Sequence, residues 1–306
     1  MKTLFVGDIN VDLMLGGMQS PPMTDREVVC RTFKVTMGSS TVIAACAYAA
    51  LGGKASFIGL AGKDDYGKFM LNGLRKAGVD IRLVRRTGTV KTGVTVNMIH
   101  SRSRTQVTYP GTIAEFRGWN ITERYLRGFG HVHFAGPYLQ TKLRPHITRL
   151  LRLARRMGLS TSLDPQWDPT EKWEFMHMWL PLLTYFFPNG DEARSITHTT
   201  SMEKACAILS SLTACPVIKA GKHGAIAHID GKIRSLPTPW VKVVDTTGAG
   251  DSFNAGFLFA VLEKKMPLLN AVRFANATGA RSCKFAGGTA ARSTYRDVVQ
   301  LVEKSA

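Results

Sequence analysis

The segment Asp245-Thr246-Thr247-Gly248-Ala249-Gly250-Asp251 constrains this chain more than any other. It follows a short apolar run and opens onto Ser252-Phe253-Asn254-Ala255-Gly256-Phe257, which reads as a helix. A strand, a tight loop and a helix must therefore follow one another here. Gly248 and Gly250, on either side of Ala249, let the backbone turn so that consecutive N–H groups converge at the positive end of that helix. Such a loop cradles an anion. Asp251 closes it, where a carboxylate can take the proton of a hydroxyl attacking a cradled phosphate. A plain glycine turn with a helix-capping aspartate would need neither the threonines nor the second acid. The combination points to phosphoryl transfer.

The rest of the chain supplies a suitable scaffold. From His131 onward, strand-like and helix-like runs alternate (131–135, 143–157, 160–163), which predicts a parallel sheet covered by helices on both faces. A chain of 306 residues is long enough for one large α/β unit, so a single domain over 1–306 is expected. Upstream, runs at 81–85, 92–100 and 105–109 follow one another without helices, with 101–104 as a hairpin turn. Together with a strand expected over 28–36, they predict a small β lid built from about 11–36 and 88–112. A lid excludes water from a phosphoryl-transfer site and so suppresses wasteful hydrolysis.

The stretch from Asp245 to Phe253 resembles the C-terminal signature of the PfkB, or ribokinase-like, carbohydrate kinases. The resemblance implies an α/β ribokinase-like fold, with a mostly parallel central sheet flanked by helices and a small β-sheet lid. It also implies an ATP- and Mg2+-dependent kinase that phosphorylates a hydroxyl of a sugar or sugar-like molecule. Asp251 would be the general base, and the loop Thr247 to Asp251, with Gly248, Ala249 and Gly250, the anion hole. The run Gly62-Lys63-Asp64-Asp65-Tyr66-Gly67 is similar to the family's G-x-D-x-x-G element.

Asn189 and Glu192 look like the family's N-x-x-E motif, which organises the magnesium-bound phosphates through water. Their spacing also makes a helix capping box, and both readings can hold for the same residues. Residues 216–225 resemble the element beside the nucleotide phosphates, which makes Lys219 and Gly221 nucleotide candidates; a simple glycine-turn hairpin is the alternative. Asn276 matches a position that contacts the base in relatives. Asp245 and Thr247 match part of a monovalent-cation site, such as one for K+, with carbonyls expected from 283–288.

Asp8, Asn10 and Asp12 alternate along an extended run and so share a face. This is either an ordinary exposed strand face or, as the resemblance implies for Asn10 and Asp12, a grip on sugar hydroxyls. Counting back from Gly52, the family's paired glycines fall on Gly38 and Ser39, and its sugar-holding asparagine falls on Ile43. The acceptor cannot therefore be carried over from ribokinase itself. Nucleosides or other hydroxyl-bearing metabolites on the same fold, and a nucleotide or sugar sensor without turnover, are the alternatives. Asp164 ends a predicted strand and either faces the cleft or simply starts an Asp-Pro turn.

A net charge of +18 raises the question of nucleic acid. The basic residues are spread along the chain, however, and the dense run at 144–156 alternates with apolar residues at helical spacing, as a solvated helix face does. No nucleic-acid partner is expected. His131 and His133 share a strand face, where packing explains them better than a metal with no third ligand in view. Five cysteines without a C-x-x-C pair suggest neither disulfides nor zinc. With no long apolar run, a cytoplasmic protein without a membrane partner is expected. A homodimer formed through the lid is a further implication of the resemblance.

Overall fold

The computed structural model describes residues 1–100, 103–118 and 120–305. The chain starts with β1 (Lys2–Val6), β2 (Asn10–Met18), β3 (Thr32–Met37), α1 (Ser40–Ala50), β4 (Lys54–Ile58), β5 (Leu60–Gly62), α2 (Asp65–Lys76), β6 (Arg85–Thr87), β7 (Gly93–His100) and β8 (Ser103–Tyr109). Two short helices, α3 (Thr112–Glu115) and α4 (Glu123–Leu126), lead to β9 (His131–Ala135), α5 (Ile147–Arg156), β10 (Ser160–Asp164), α6 (Met176–Trp179) and β11 (Tyr185–Phe186). The C-terminal part holds α7 (Gly190–Thr197), α8 (Met202–Leu212), β12 (Val217–Lys219), β13 (Ala225–Ile229), β14 (Lys232–Leu236), α9 (Ala249–Leu262), α10 (Leu268–Ser282) and α11 (Tyr295–Glu303).

Five parallel strands in the order β11-β10-β9-β1-β4 form the central sheet. Alternation within β1 shows how it is covered. Phe5 enters a core with Tyr48, Phe257 and Val272 from α1, α9 and α10, whereas Leu4 and Val6 enter a second core with Leu150, Trp179 and Leu209 from α5, α6 and α8. Both faces are buried, so these strands read as continuous apolar runs. Parallel bridges Phe186↔Pro216 and Asn189↔Lys219 carry the sheet edge on to β12. There an antiparallel sheet, β12-β13-β14, begins.

A separate four-stranded sheet has the order β3-β2-β7-β8. Its register places Asp12, Thr36, Thr95 and Thr108 in one row, and Leu13, Val35, Val96 and Val107 in the next. Successive rows point to opposite faces, so one face is polar and the other apolar.

The strand expected immediately before Asp245 does not form: β14 ends at Leu236 and residues 237–248 belong to no strand, with Val243 and Val244 exposed. Other expected boundaries move. The run at 81–85 is not a strand: Val84 N donates to Ile81 O at 2.9 Å and Arg82 N to Asp80 Oδ1 at 3.1 Å, closing a turn. The strand forms after it, at β6. The strand expected over 28–36 begins only at Thr32. Of the hairpin turn expected over 101–104, Ser101 and Arg102 lie outside the described residues, and Ser103 and Arg104 already belong to β8.

Candidate active site

Gly248 is the N-cap of α9 with φ 75°, and no side chain caps the first turn. Ala249 N donates to Thr246 O at 3.2 Å, and the N–H groups of Gly248, Gly250 and Asp251, with no partner among the described residues, are left for an external anion. Glycine is required at this position twice over. The left-handed φ is one reason; the other is that a Cβ there would lie 2.9 Å from both Gly288 Cα and Ile43 Cγ2. Ile43, 3 % exposed, wedges between Gly248 and Gly288. At the position where the family pattern has an asparagine, this chain thus has an apolar support under the cradle.

Asp251 lies in the first turn of α9 and is 6 % exposed. Burial and the neighbouring Asp164 carboxylate push its carboxyl up to about 7, against the pull of Lys219. Asp164, at the end of β10, is fully buried; its Oδ2 accepts from Lys219 Nζ at 2.5 Å and from Asn254 Nδ2 at 2.5 Å. Its Oδ1 accepts from Gln166 N at 3.1 Å, so Asp164 both starts a turn and faces the cleft. Asn254 follows Asp251 by three residues and shares its side of the helix. Its Oδ1 is buried with no partner among the described residues, beside Asp164. Gln166, in a left-handed conformation at φ 51°, brings Nε2 to 3.5 Å from Asp251 Oδ1.

Lys219 sits at the centre of these acids. Burial opposes its charge, but Asp164 and then Glu192 outweigh that effect and hold the ammonium above its ordinary value. Asn189 and Glu192 form a reciprocal capping box on α7: Glu192 N donates to Asn189 Oδ1 at 2.9 Å, and Asn189 N to Glu192 Oε2 at 2.7 Å. Burial and Asp164 push the Glu192 carboxyl up to about 7 as well. A cavity of about 480 Å³ opens next to the cradle, lined by Lys219, Gly221, Trp240, Phe253 and Asn276 among others. Asn276 is 3 % exposed, and its Nδ2 donates to Leu236 O at 2.9 Å and Pro237 O at 3.2 Å. It therefore anchors the wall of this cavity.

On the other side of Asp251, the polar face of the four-stranded sheet presents Asn10 and Asp12. Asn10 Nδ2 donates to Asp12 Oδ1 and to Thr95 Oγ1, each at 3.2 Å. Burial raises the Asp12 carboxyl to about 6, with Arg104 pulling the other way. A Cβ on Gly38 would stand 2.4 Å from Asp12 Oδ1 and 2.6 Å from Asn10 Nδ2, so Gly38 leaves room for this pair. Ser39 holds φ 71°; its Oγ donates to Asp8 Oδ1 at 2.9 Å and accepts from Val42 N at 3.1 Å as the cap of α1. Asp8 thus turns toward α1 instead of continuing the row of Asn10 and Asp12.

Asp245 Oδ1 accepts from Thr247 N at 2.9 Å, and its Oδ2 from Gly287 N at 2.8 Å. Burial would raise this carboxyl, but the two N–H bonds overcome it and hold the group below its ordinary value. The four-stranded sheet reaches this loop at two points. Arg104 Nη1 donates to Thr247 Oγ1 at 3.3 Å, and Lys34 Nζ to Ala286 O at 2.9 Å. His131 and His133 are buried against the Ser160 and Ser162 hydroxyls. Among the described residues, no cluster of three or more His, Cys, Asp or Glu side chains could hold a metal ion unaided.

Gln166, Asn254 and Arg104 were not assigned from sequence, and Asp8 and Asp164 were noted there without a settled role. Of the three, only Asn254, three residues after Asp251, carried a usable spacing signal; Gln166 and Arg104 are brought in by contacts between distant segments.

The model of the pfkB family carbohydrate kinase matches residues 2–294. Ribokinase of Haemophilus influenzae is 25% identical over 314 residues, covering 99% of both chains. The ATP-dependent ribose-1-phosphate kinase of Halopiger xanaduensis is 29% identical, covering 96% of this chain and 94% of its own. Among solved structures, ribokinase of Thermotoga maritima superposes with a TM-score of 0.83 at 22% identity, covering 99% of both chains, which identifies the fold. The chain belongs to the pfkB family of carbohydrate kinases, phosphotransferases that take an alcohol group as acceptor.

Proposed function

We propose that this protein transfers the γ-phosphate of ATP to a hydroxyl of a sugar or sugar-like small molecule, with Asp251 as general base. One observation carries the reading: a buried carboxylate with a raised pKa stands in the first turn of a helix whose N-terminal N–H groups are uncapped. A base titrating near neutral pH suits proton abstraction from an alcohol in step with attack. Within the loop Thr247 to Asp251, the N–H groups of Gly248, Gly250 and Asp251 stabilise charge developing on the phosphoryl group, those of Thr247 and Ala249 being held by Asp245 and Thr246.

The nucleotide occupies the cavity beside the cradle. Gly221 allows its close approach, Trp240 is exposed at its edge, and Asn276 holds the wall near the base. Lys219, next to Gly250, supplies positive charge to the phosphates. Asn10, Asp12, Gly38 and Ser39 form the acceptor side, where an amide, a carboxylate and the Thr95 hydroxyl match a polyol. Residues 11–36 and 88–112 act as the lid, within one kinase domain over 1–306.

Glu192 and Asn189 provide hard oxygen donors suited to magnesium held through water. When bound, magnesium offsets the phosphate charge. Between Asp245 and Thr247 a monovalent cation such as K+ finds a carboxylate with spare acceptor capacity, but at Ala286 O it competes with the Lys34 ammonium. No described helix is long and apolar enough to cross a membrane, and all five cysteines are unpaired, which supports a cytoplasmic setting. The test is an ADP-release screen over sugars, sugar phosphates, polyols and nucleosides, with Asp251→Asn as control. Turnover on a polyol that the variant abolishes is expected. The reading fails if no acceptor gives ADP, or if the variant turns over unchanged.

A further inference from the structure

Lys219 closes β12, where its backbone N–H donates to Pro188 O at 2.9 Å. The strand fixes the backbone but not the ammonium, which is a point charge on a flexible four-carbon stem. Asp164, Glu192 and Asp251 all draw on that charge. Among the described residues only Asp164 bonds it, through Oδ2 at 2.5 Å. Asp164 is fully buried, and both its oxygens are engaged within the protein: Asn254 Nδ2 shares Oδ2, and Gln166 N takes Oδ1. Its contacts are all with other residues of the site, so any part it plays in the chemistry runs through them.

The pair sits against the cradle. A Cβ on Gly250 would lie 3.4 Å from Lys219 Nζ, so the ammonium stands at the edge of that loop. The carboxylate that grips Lys219 also anchors Asn254, on the helix that carries Asp251. Around Asp251, burial, Asp164 and Asp8 push the carboxyl up, while Lys219 and the Ser40 hydroxyl pull it down. An unheld ammonium would pair with Asp251, leaving less positive charge for the phosphates and a weaker base for the acceptor. We propose that Asp164 is a positioning residue for phosphoryl transfer, which keeps Lys219 at the Gly250 edge of the cradle and off Asp251.

This role rests on the proposed transfer of phosphate from ATP. Asp164→Asn keeps the shape of the side chain and removes the charge that holds Lys219. Loss of a negative charge from the site would by itself tighten binding of an anionic nucleotide. Release of Lys219 from the cradle would weaken it. The two effects have opposite signs, and only the second needs Lys219.

The test is a calorimetric titration of the full-length protein with a non-hydrolysable ATP analogue and magnesium, on the wild type, Asp164→Asn, Lys219→Met and the double variant. Asp164→Asn should weaken the analogue about tenfold in the wild-type background, and should not weaken it in the Lys219→Met background. Melting midpoints check folding, since the single variant leaves a buried ammonium unpaired and the double variant does not. Asp164→Glu, which keeps the charge and displaces it by one methylene, is the second variant; it should weaken the analogue severalfold, again only where Lys219 is present. With an acceptor that is turned over, Asp164→Asn should also lower kcat roughly tenfold to a hundredfold at unchanged acceptor KM, and move the acid limb of kcat/KM about one pH unit lower. The role is overturned if Asp164→Asn tightens the analogue or leaves its affinity unchanged, or if it weakens the analogue equally beside Lys219→Met. Absence of turnover on every acceptor would instead remove the kinase reading, and the titration would still decide whether Asp164 positions Lys219.

Discussion

Asp251 gathers the strongest expectations at the scale of single residues. Asp251→Asn should lower turnover by about 10³-fold, the range that a positioned base contributes, while calorimetric ADP binding survives. With the free carboxyl at about 7, kcat/KM should fall tenfold per unit as pH drops below about 7, and level off above. A flat profile from about pH 5 to 8 would exclude Asp251 as the titrating base. The same shift bears on stability. The folded carboxyl titrates at about 7 and the unfolded one at 3.8, so the folded state binds the proton more tightly. Stability therefore declines as pH rises between those values, and the full cost remains above them. Asp251→Asn removes that cost, so at about pH 8 the variant should melt roughly 2 °C or more above the wild type. The proposed base is then a residue that weakens the fold.

At the scale of elements, the turn from β3 into α1 and the reach of β8 decide how the two halves of the site meet. Gly38 abuts Asn10 and Asp12, so Gly38→Ala should displace both and raise the acceptor KM roughly tenfold to a hundredfold, with KM for ATP unchanged. Ser39 keeps a left-handed backbone because its hydroxyl caps α1 and bonds Asp8. Ser39→Ala loses the cap and keeps the strain, and should cost about 1–2 kcal/mol in denaturant unfolding. Arg104 links β8 to Thr247 and lies within electrostatic reach of Asp12 and Asp245. Arg104→Ala should cut kcat/KM about tenfold, with Arg104→Lys recovering part of the loss. Sequence could place Gly38 and Ser39 by counting back from Gly52, but it could not indicate that Ile43 would become the wedge beneath Gly248.

At the scale of the whole molecule, the four-stranded sheet turns its polar face to the cleft and its apolar face outward. Phe33 is 63 % exposed and Val107 57 % exposed on that outer face. A second copy covering it would complete the structure, consistent with the proposed homodimer. Light scattering should give a mass near twice 33.6 kDa, and Phe33→Lys with Val107→Lys should return it to the monomer. A monomeric wild type at micromolar concentration would remove the dimer. The overall architecture was largely legible, because alternating strands and helices permit few arrangements and buried parallel strands read as apolar runs. The four-stranded sheet was legible in kind but not in its membership, since the run expected over 81–85 gives way to a turn at Asp80 and Arg82 and the strand after it, β6, pairs with β5 in a separate two-stranded sheet.

The sequence by itself determined the cradle and helix around Asp251 and the capping box of Asn189 and Glu192, but not what precedes the cradle, where the expected strand is absent. In both, every interacting group lies within a few residues, so local backbone geometry suffices. Only the tertiary structure decided what surrounds them. Asp164 meets Asn254 across 90 residues and Arg104 meets Thr247 across 143, and spacing in the chain carries no trace of such pairs. The raised carboxyl of Asp251 belongs to this second class, because burial among distant acids, and not the motif that contains it, sets its proton affinity.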